Sequence, residues 1–113
     1  PLGVPQNLVP FITQSAAGLR GALKVFGNDY DTIDGTCVRD YIHVVDLAVA
    51  HVAAIQWLET NQASCEPFNL GTGQGKSVSE VIQAFEAANG IAVPFAFGPR
   101  RAGDVVAIFA NAE

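Results

Sequence analysis

Hydrophobic positions along this chain recur at helical spacing in three stretches, with short extended runs between and after them. Leu8, Ile12, Ala16 and Leu19 form one stripe behind Asn7, whose short polar side chain suits an N-cap. They predict a helix from 7 to about 19, with Pro10 tolerated in its first turn and Gly18 and Gly21 bracketing its end. Residues 23–26 read as a short strand and 27–35 as an acidic, glycine-containing loop. Its Asp29, Asp31 and Asp34 lack the ligand pattern and closing glutamate of a calcium loop, so a solvated loop is expected. Residues 38–44 alternate as a strand, and Asp46 is placed to cap a second helix reaching about Leu58. That helix, DLAVAHVAAIQWLE, is apolar around most of its circumference, which predicts burial on two sides.

Residues 68–70 read as a short buried strand, followed by a glycine turn at 71–75. Ser77 with Glu80 then spells a capping box for a third helix, whose apolar face is Val78, Val81, Ile82, Phe85 and Ala88 and whose end is Gly90. Residues 93–97 read as a last strand, 99–104 as a loop, and 105–109 as an apolar run without an obvious partner. The expected class is therefore α/β, with about three helices and several short strands.

Composition sharpens this picture. The chain has 113 residues, enough for one domain or a piece of one. Charged residues make up only 15% against a usual share of about 25%, which predicts apolar surface that something else covers. The net charge of −5 argues against non-specific nucleic-acid or anionic-membrane partners. No apolar run is long enough to span a membrane, and no secretory signal opens the chain. Cys37 and Cys65 stand alone, outside any metal or redox motif, and read as free thiols of a reducing cytoplasm. His43 and His51 fall on different elements, so no metal site is expected.

Two tempting motifs fail. Gly71, Gly73, Gly75 and Lys76 resemble a phosphate loop, but Gly71 and Gly75 enclose three residues where four are needed, and GxGxG is not the dinucleotide GxGxxG. The glycines read as a tight turn instead. No nucleophile–base pair can be placed, so no catalytic residue is assigned. More suggestive is Arg39 on an extended segment, either gripping an anion or salt-bridged to Asp29, Asp31, Asp34 or Asp40. The pair Arg100-Arg101 with Asp104 poses the same choice between a diphosphate site and a solvated loop.

Three blocks, FGNDYDTIDGTCVRDYIHVVDLA, PFNLGTGQGKSVSEVIQAF and PRRAGD, occur in an order and spacing similar to the second half of UDP-galactose 4-epimerases, members of the extended short-chain dehydrogenase/reductase family. The resemblance spans nearly the whole chain. It implies the C-terminal part of a Rossmann-type nucleotide-sugar epimerase fold, a single UDP-sugar-binding region over 1–113. The N-terminal NAD-binding domain, with its Tyr-x-x-x-Lys, would be the missing partner. NAD would belong to the parent enzyme, which interconverts UDP-glucose and UDP-galactose by hydride transfer at C4, and a fragment of this kind would bind no NAD and be inactive alone. By the same resemblance Asn7 and Leu8 would lie against the nucleotide, and Lys24, Val25 and Phe26 would face the uracil. Arg39 would hold a phosphate with Tyr41 beside it, Arg101 a second phosphate, and Asp104 the ribose. Ile108 stands where many bacterial members carry a tyrosine at the sugar end, which leaves the sugar open. Alternatives are a nucleotide-sugar dehydratase or decarboxylase of the same family, or a free-standing nucleotide- or protein-binding domain. Self-association through the apolar face is expected.

Overall fold

The computed structural model describes residues 3–61 and 65–112. Pro1 and Leu2 of the expected opening loop, and Glu113 at the end, lie outside the described residues. The order is α1 (Leu8–Ala16), β1 (Leu23–Phe26), β2 (Val38–Arg39), α2 (Val44–Thr60), β3 (Lys76–Ser77), α3 (Val78–Asn89), β4 (Phe95–Gly98) and β5 (Ala107–Ile108). The chain is α/β with three helices and short strands, as its patterning predicts. β1 and β4 pair in parallel, Leu23 opposite Phe95 and Phe26 opposite Gly98. β2 is central in a second sheet, antiparallel to β3 and parallel to β5.

The core is small and sits where α1 and α3 meet β1. Ile12, Leu23, Val25, Ile82 and Val93 are buried there, flanked by Leu8, Phe11, Val78, Val81 and Phe85. Leu23 and Val25 alternate with exposed Lys24 and Phe26, so one face of β1 closes the core and the other is left open. The capping box forms as the S-x-x-E spacing requires: the Ser77 hydroxyl accepts from the Glu80 amide and the Glu80 carboxylate accepts from the Ser77 amide. Gly90 ends α3 at φ +64, a left-handed residue that costs glycine nothing.

Several expectations are corrected. α1 stops at Ala16 because Gly18 turns left-handed at φ +72, which leaves Leu19 exposed rather than on the buried stripe. α2 starts at Val44, and its cap is His43, whose Nδ1 accepts from the Val45 amide; Asp46 lies inside the first turn. α2 is not buried on two sides: none of its residues is buried, because the described residues supply nothing to cover it. For the same reason 68–70 forms no strand, and Phe68 and Leu70 are exposed, Phe68 resting edge-on against Trp57. The acidic loop is more than solvated. Asp34 accepts from the Ser77 hydroxyl and from the amide and hydroxyl of Thr36, tying the loop to the start of α3, and Tyr30 is buried. The run 105–109 finds its partner in β2.

The glycine turn is explained by close packing. A Cβ at Gly71 would strike the Asp40 carboxylate and Ala110, and one at Gly75 would strike Val38 and Phe109. The chain exposes 8058 Å², whereas a compact chain of 11.9 kDa exposes roughly 6,000 Å². Its radius of gyration is 17.1 Å, against about 13 Å for a compact domain near this size. α2, none of whose residues is buried, adds to this excess. Among the described residues no helix is long and apolar enough to cross a membrane.

Candidate functional site

A cleft of about 570 Å³ opens between the start of α1, β1, β2 and the segment after β4. Its apolar floor is Phe11, Leu23 and Val78. Asn7 and Leu8 reach it from the opening of α1. Asn7 has the extended backbone of an N-cap but makes no side-chain capping bond, so its amide is available to the cleft. Lys24, Val25 and Phe26 line it from β1, and Arg39 and Tyr41 from β2 and the residues after it. Arg101 and Asp104 close the last side. Nine of the ten residues singled out in the sequence thus meet around one cavity.

Ile108 does not line it. It is the register partner of Arg39 on β5 and is exposed, so it stands beside the cleft rather than in its wall. Cys37 does line the cleft and was missed as a site residue. The available signal was period-two alternation, which puts residues 37, 39 and 41 on one side of an extended segment. Burial of Cys37 agrees with that placement.

Arg39 is not bridged to any of its four neighbouring aspartates. Its Nη1 donates to the carbonyls of Val38 at 2.8 Å and Val105 at 2.7 Å, while Nη2 lies 3.8 Å from Asp104. Arg101 Nη2 donates to the same Asp104 oxygen at 2.8 Å. Two guanidinium groups therefore share one carboxylate, and hydrogen bonding with Asp104 raises the Arg101 pKa above its usual range. Lys24 Nζ and the Arg101 guanidinium both lie near the Phe26 ring, 5.5 and 5.3 Å from its centroid. Burial pushes the Tyr41 hydroxyl above its ordinary range, partly opposed by Arg39. Three cations and one carboxylate give this cleft a surplus of +2 on a chain of net charge −5. Such a surplus suits a dianionic ligand, which would take the arginines from Asp104 and leave that carboxylate free to accept from a hydroxyl.

The glycine turn offers no second anion site. The Thr72 amide and hydroxyl donate to Asp40, as does the Ala110 amide, and the Thr72 amide bond leads in holding the Asp40 carboxyl below the usual range. An internal carboxylate thus occupies the place that a pyrophosphate would need at this turn. His51 Nδ1 lies 2.7 Å from the Leu47 carbonyl, and the described residues contain no cluster able to hold a metal.

Residues 3–71 match the model of a family described as the NAD dependent epimerase/dehydratase family. A human UDP-glucose 4-epimerase is 56% identical over 98% of this chain, and a UDP-glucose 4-epimerase of Oryza sativa subsp. japonica is 56% identical over 96%. This chain covers 32% and 27% of their lengths, so it spans about a third of the curated relatives it matches. Among solved structures, the UDP-glucose-4-epimerase of Stenotrophomonas maltophila with bound NAD and formylated UDP-arabinopyranose superposes with a TM-score of 0.94 at 57% identity. The match covers 99% of this chain and 33% of that one. The UDP-glucose 4-epimerase of Bifidobacterium longum in complex with NAD+ and UDP gives 0.85 at 50% identity, covering 97% of this chain and 32% of that one.

Proposed function

The chain belongs to the NAD dependent epimerase/dehydratase family, and we propose that it is the UDP-sugar-binding region of a cytoplasmic UDP-glucose 4-epimerase, one unit over 1–113. The observation that carries this reading is the cationic cleft in an otherwise acidic chain, lined by Arg39, Arg101, Lys24 and Asp104. The relatives bound to NAD and UDP ligands support the choice of nucleotide. In this reading Arg39 and Arg101 grip the diphosphate, and Asp104, released by it, accepts from the ribose hydroxyls. The open edge of β1 at 24–26 presents main-chain groups to the uracil. Asn7 and Leu8 hold the nucleotide from the α1 side, and Tyr41 lies beside the Arg39 phosphate. Ile108 stands toward the sugar.

The parent enzyme interconverts UDP-glucose and UDP-galactose with NAD held by its N-terminal domain. In this reading NAD stays with that missing domain, and this chain supplies binding and orientation rather than chemistry, so alone it is inactive. In isolation the chain covers α2 with a second copy of itself.

The test is a two-dimensional amide NMR titration with UDP. Peaks from 7–8, 24–26, 39–41 and 101–104 should shift together. A hydrogen bond to a charged group contributes about 1.5–3 kcal/mol, so Arg39→Ala should weaken binding at least about tenfold. A spectrum indifferent to millimolar UDP would refute the reading.

A further inference from the structure

The two adjacent arginines of the 99–104 segment point to different places, and only Arg101 reaches the cleft. Arg100 turns to the acidic loop instead. Its Nε donates to Asp29 Oδ1 at 2.8 Å and its Nη2 to the Asp29 main-chain carbonyl at 2.6 Å. Its guanidinium also lies 4.3 Å from the centroid of the Tyr30 ring. A planar fork that donates twice and stacks on an aromatic face is a combination lysine cannot supply.

Both ends of this contact are anchored. Tyr30 is buried, and its amide donates to the Gly35 carbonyl at 3.0 Å. The loop carrying Asp29 and Tyr30 is tied to α3 through Asp34 and Ser77. Gly27 lets the parts approach: at φ +87, a Cβ there would stand 2.5 Å from the Tyr30 ring and 3.0 Å from Arg100 Cγ. Its amide donates to the Gly98 carbonyl at 2.9 Å, joining the start of the loop to the end of β4. Beyond Arg100, the segment closes on itself through the Asp104 amide on the Arg101 carbonyl at 3.2 Å and the Arg101–Asp104 ion pair. It meets the cleft where Arg39 lies 3.8 Å from Asp104 and Arg101 lies near the Phe26 ring.

We propose that Arg100 is a positioning residue: with Asp29 and Tyr30 it latches the 99–104 segment to the acidic loop, and so sets where Arg101 and Asp104 stand opposite Arg39. The consequence for ligand binding rests on the UDP reading above; the latch itself does not. Arg100 acts chiefly through Arg101, whose fork also holds Asp104, so its loss should matter far less once Arg101 is removed.

Two measurements test this. Without ligand, Arg100→Ala should raise amide exchange at Asp104 by about fivefold while α3 amides keep their protection. Unchanged exchange at Asp104, or a general rise that includes α3, would overturn the latch. With UDP as probe, Arg100→Ala should weaken binding about three- to tenfold in the unmodified chain, and by less than about twofold in an Arg101→Ala background. Arg100→Lys, which keeps the charge but not the fork, should resemble Arg100→Ala. Equal losses in both backgrounds, or full rescue by lysine, would overturn the proposal. UDP failing to bind the unmodified chain would sink the nucleotide reading alone, and amide exchange would still decide the latch.

Discussion

Val52→Asp on α2 should keep the chain monomeric. Val45, Ala48, Val49, Val52, Ala53 and Gln56 form one stripe of α2, and Val52, near its middle, is 56% exposed. The chain exposes 8058 Å², an excess of roughly 2,000 Å² over a compact chain of its mass. Two copies pooling that excess reach roughly 4,000 Å², within the range of obligate interfaces. Fully burying a valine contributes about 1.5–3 kcal/mol. With just over half of Val52 still open, pairing offers about 1 kcal/mol more per copy. An aspartate forfeits that gain and adds a desolvation cost of at least roughly 1–3 kcal/mol. A symmetric pair feels the change twice, for a total of about 4 kcal/mol or more, which weakens association about a thousandfold. Sedimentation velocity from micromolar to millimolar concentration is the assay. The unmodified chain should gain mass with concentration, and Val52→Asp should not, with the same circular dichroism. A monomer throughout, or a variant that associates as before, would refute the reasoning.

Ile82→Ala removes one of the most deeply buried side chains of the small core, at a cost of about 2–5 kcal/mol. Scaled to this chain length, Tm in thermal melts should fall by roughly 10–20 °C, and a shift of only a few degrees would mean the core is not where the protein is held together. Partial burial pushes the Asp34 carboxyl up, but bonds from the Ser77 hydroxyl and from the Thr36 hydroxyl and amide outweigh it and hold the group below the usual carboxylate range. A depressed folded-state pKa contributes stability above the unfolded value near pH 4 and loses it as pH falls through the folded value. Asp34→Asn should therefore lower Tm at pH 7 and approach the parent as pH falls through the depressed folded value; melting temperatures that differ by the same amount at every pH would contradict it.

What could be read from the sequence divides along local and distant contacts. α3 was legible because its signals lie within it: Ser77, Glu80 and Gly90 fix both ends, and an apolar face runs between them. β3 and β5 were not legible, since two-residue pairings exist only because distant chain is brought alongside Val38 and Arg39. α2 misled because all-round hydrophobicity reports that a helix is covered in the finished assembly, not by what. The cleft follows the same division. For Arg39 the residues alone left anion binding and a bridge to a near aspartate open, and the family wording favoured the anion. Its carboxylate is Asp104 on a later segment, and the partner of Arg100 is Asp29, 71 positions away. Charge pairing at such separations leaves no local pattern.

The parallel pairing of β1 with β4 also sets a timetable. Leu23 and Phe95 lie roughly seventy residues apart, so β1 and β4 pair only after nearly all the intervening chain exists. A ribosome adding about 5–20 residues per second leaves β1 waiting roughly 4–14 seconds for its partner strand. During that interval Leu23 and Val25 have no β4 beside them, and the backbone edge of β1 is open to any other extended chain. Substitutions that slow synthesis between the two strands would lengthen that exposure without altering a contact in the finished fold.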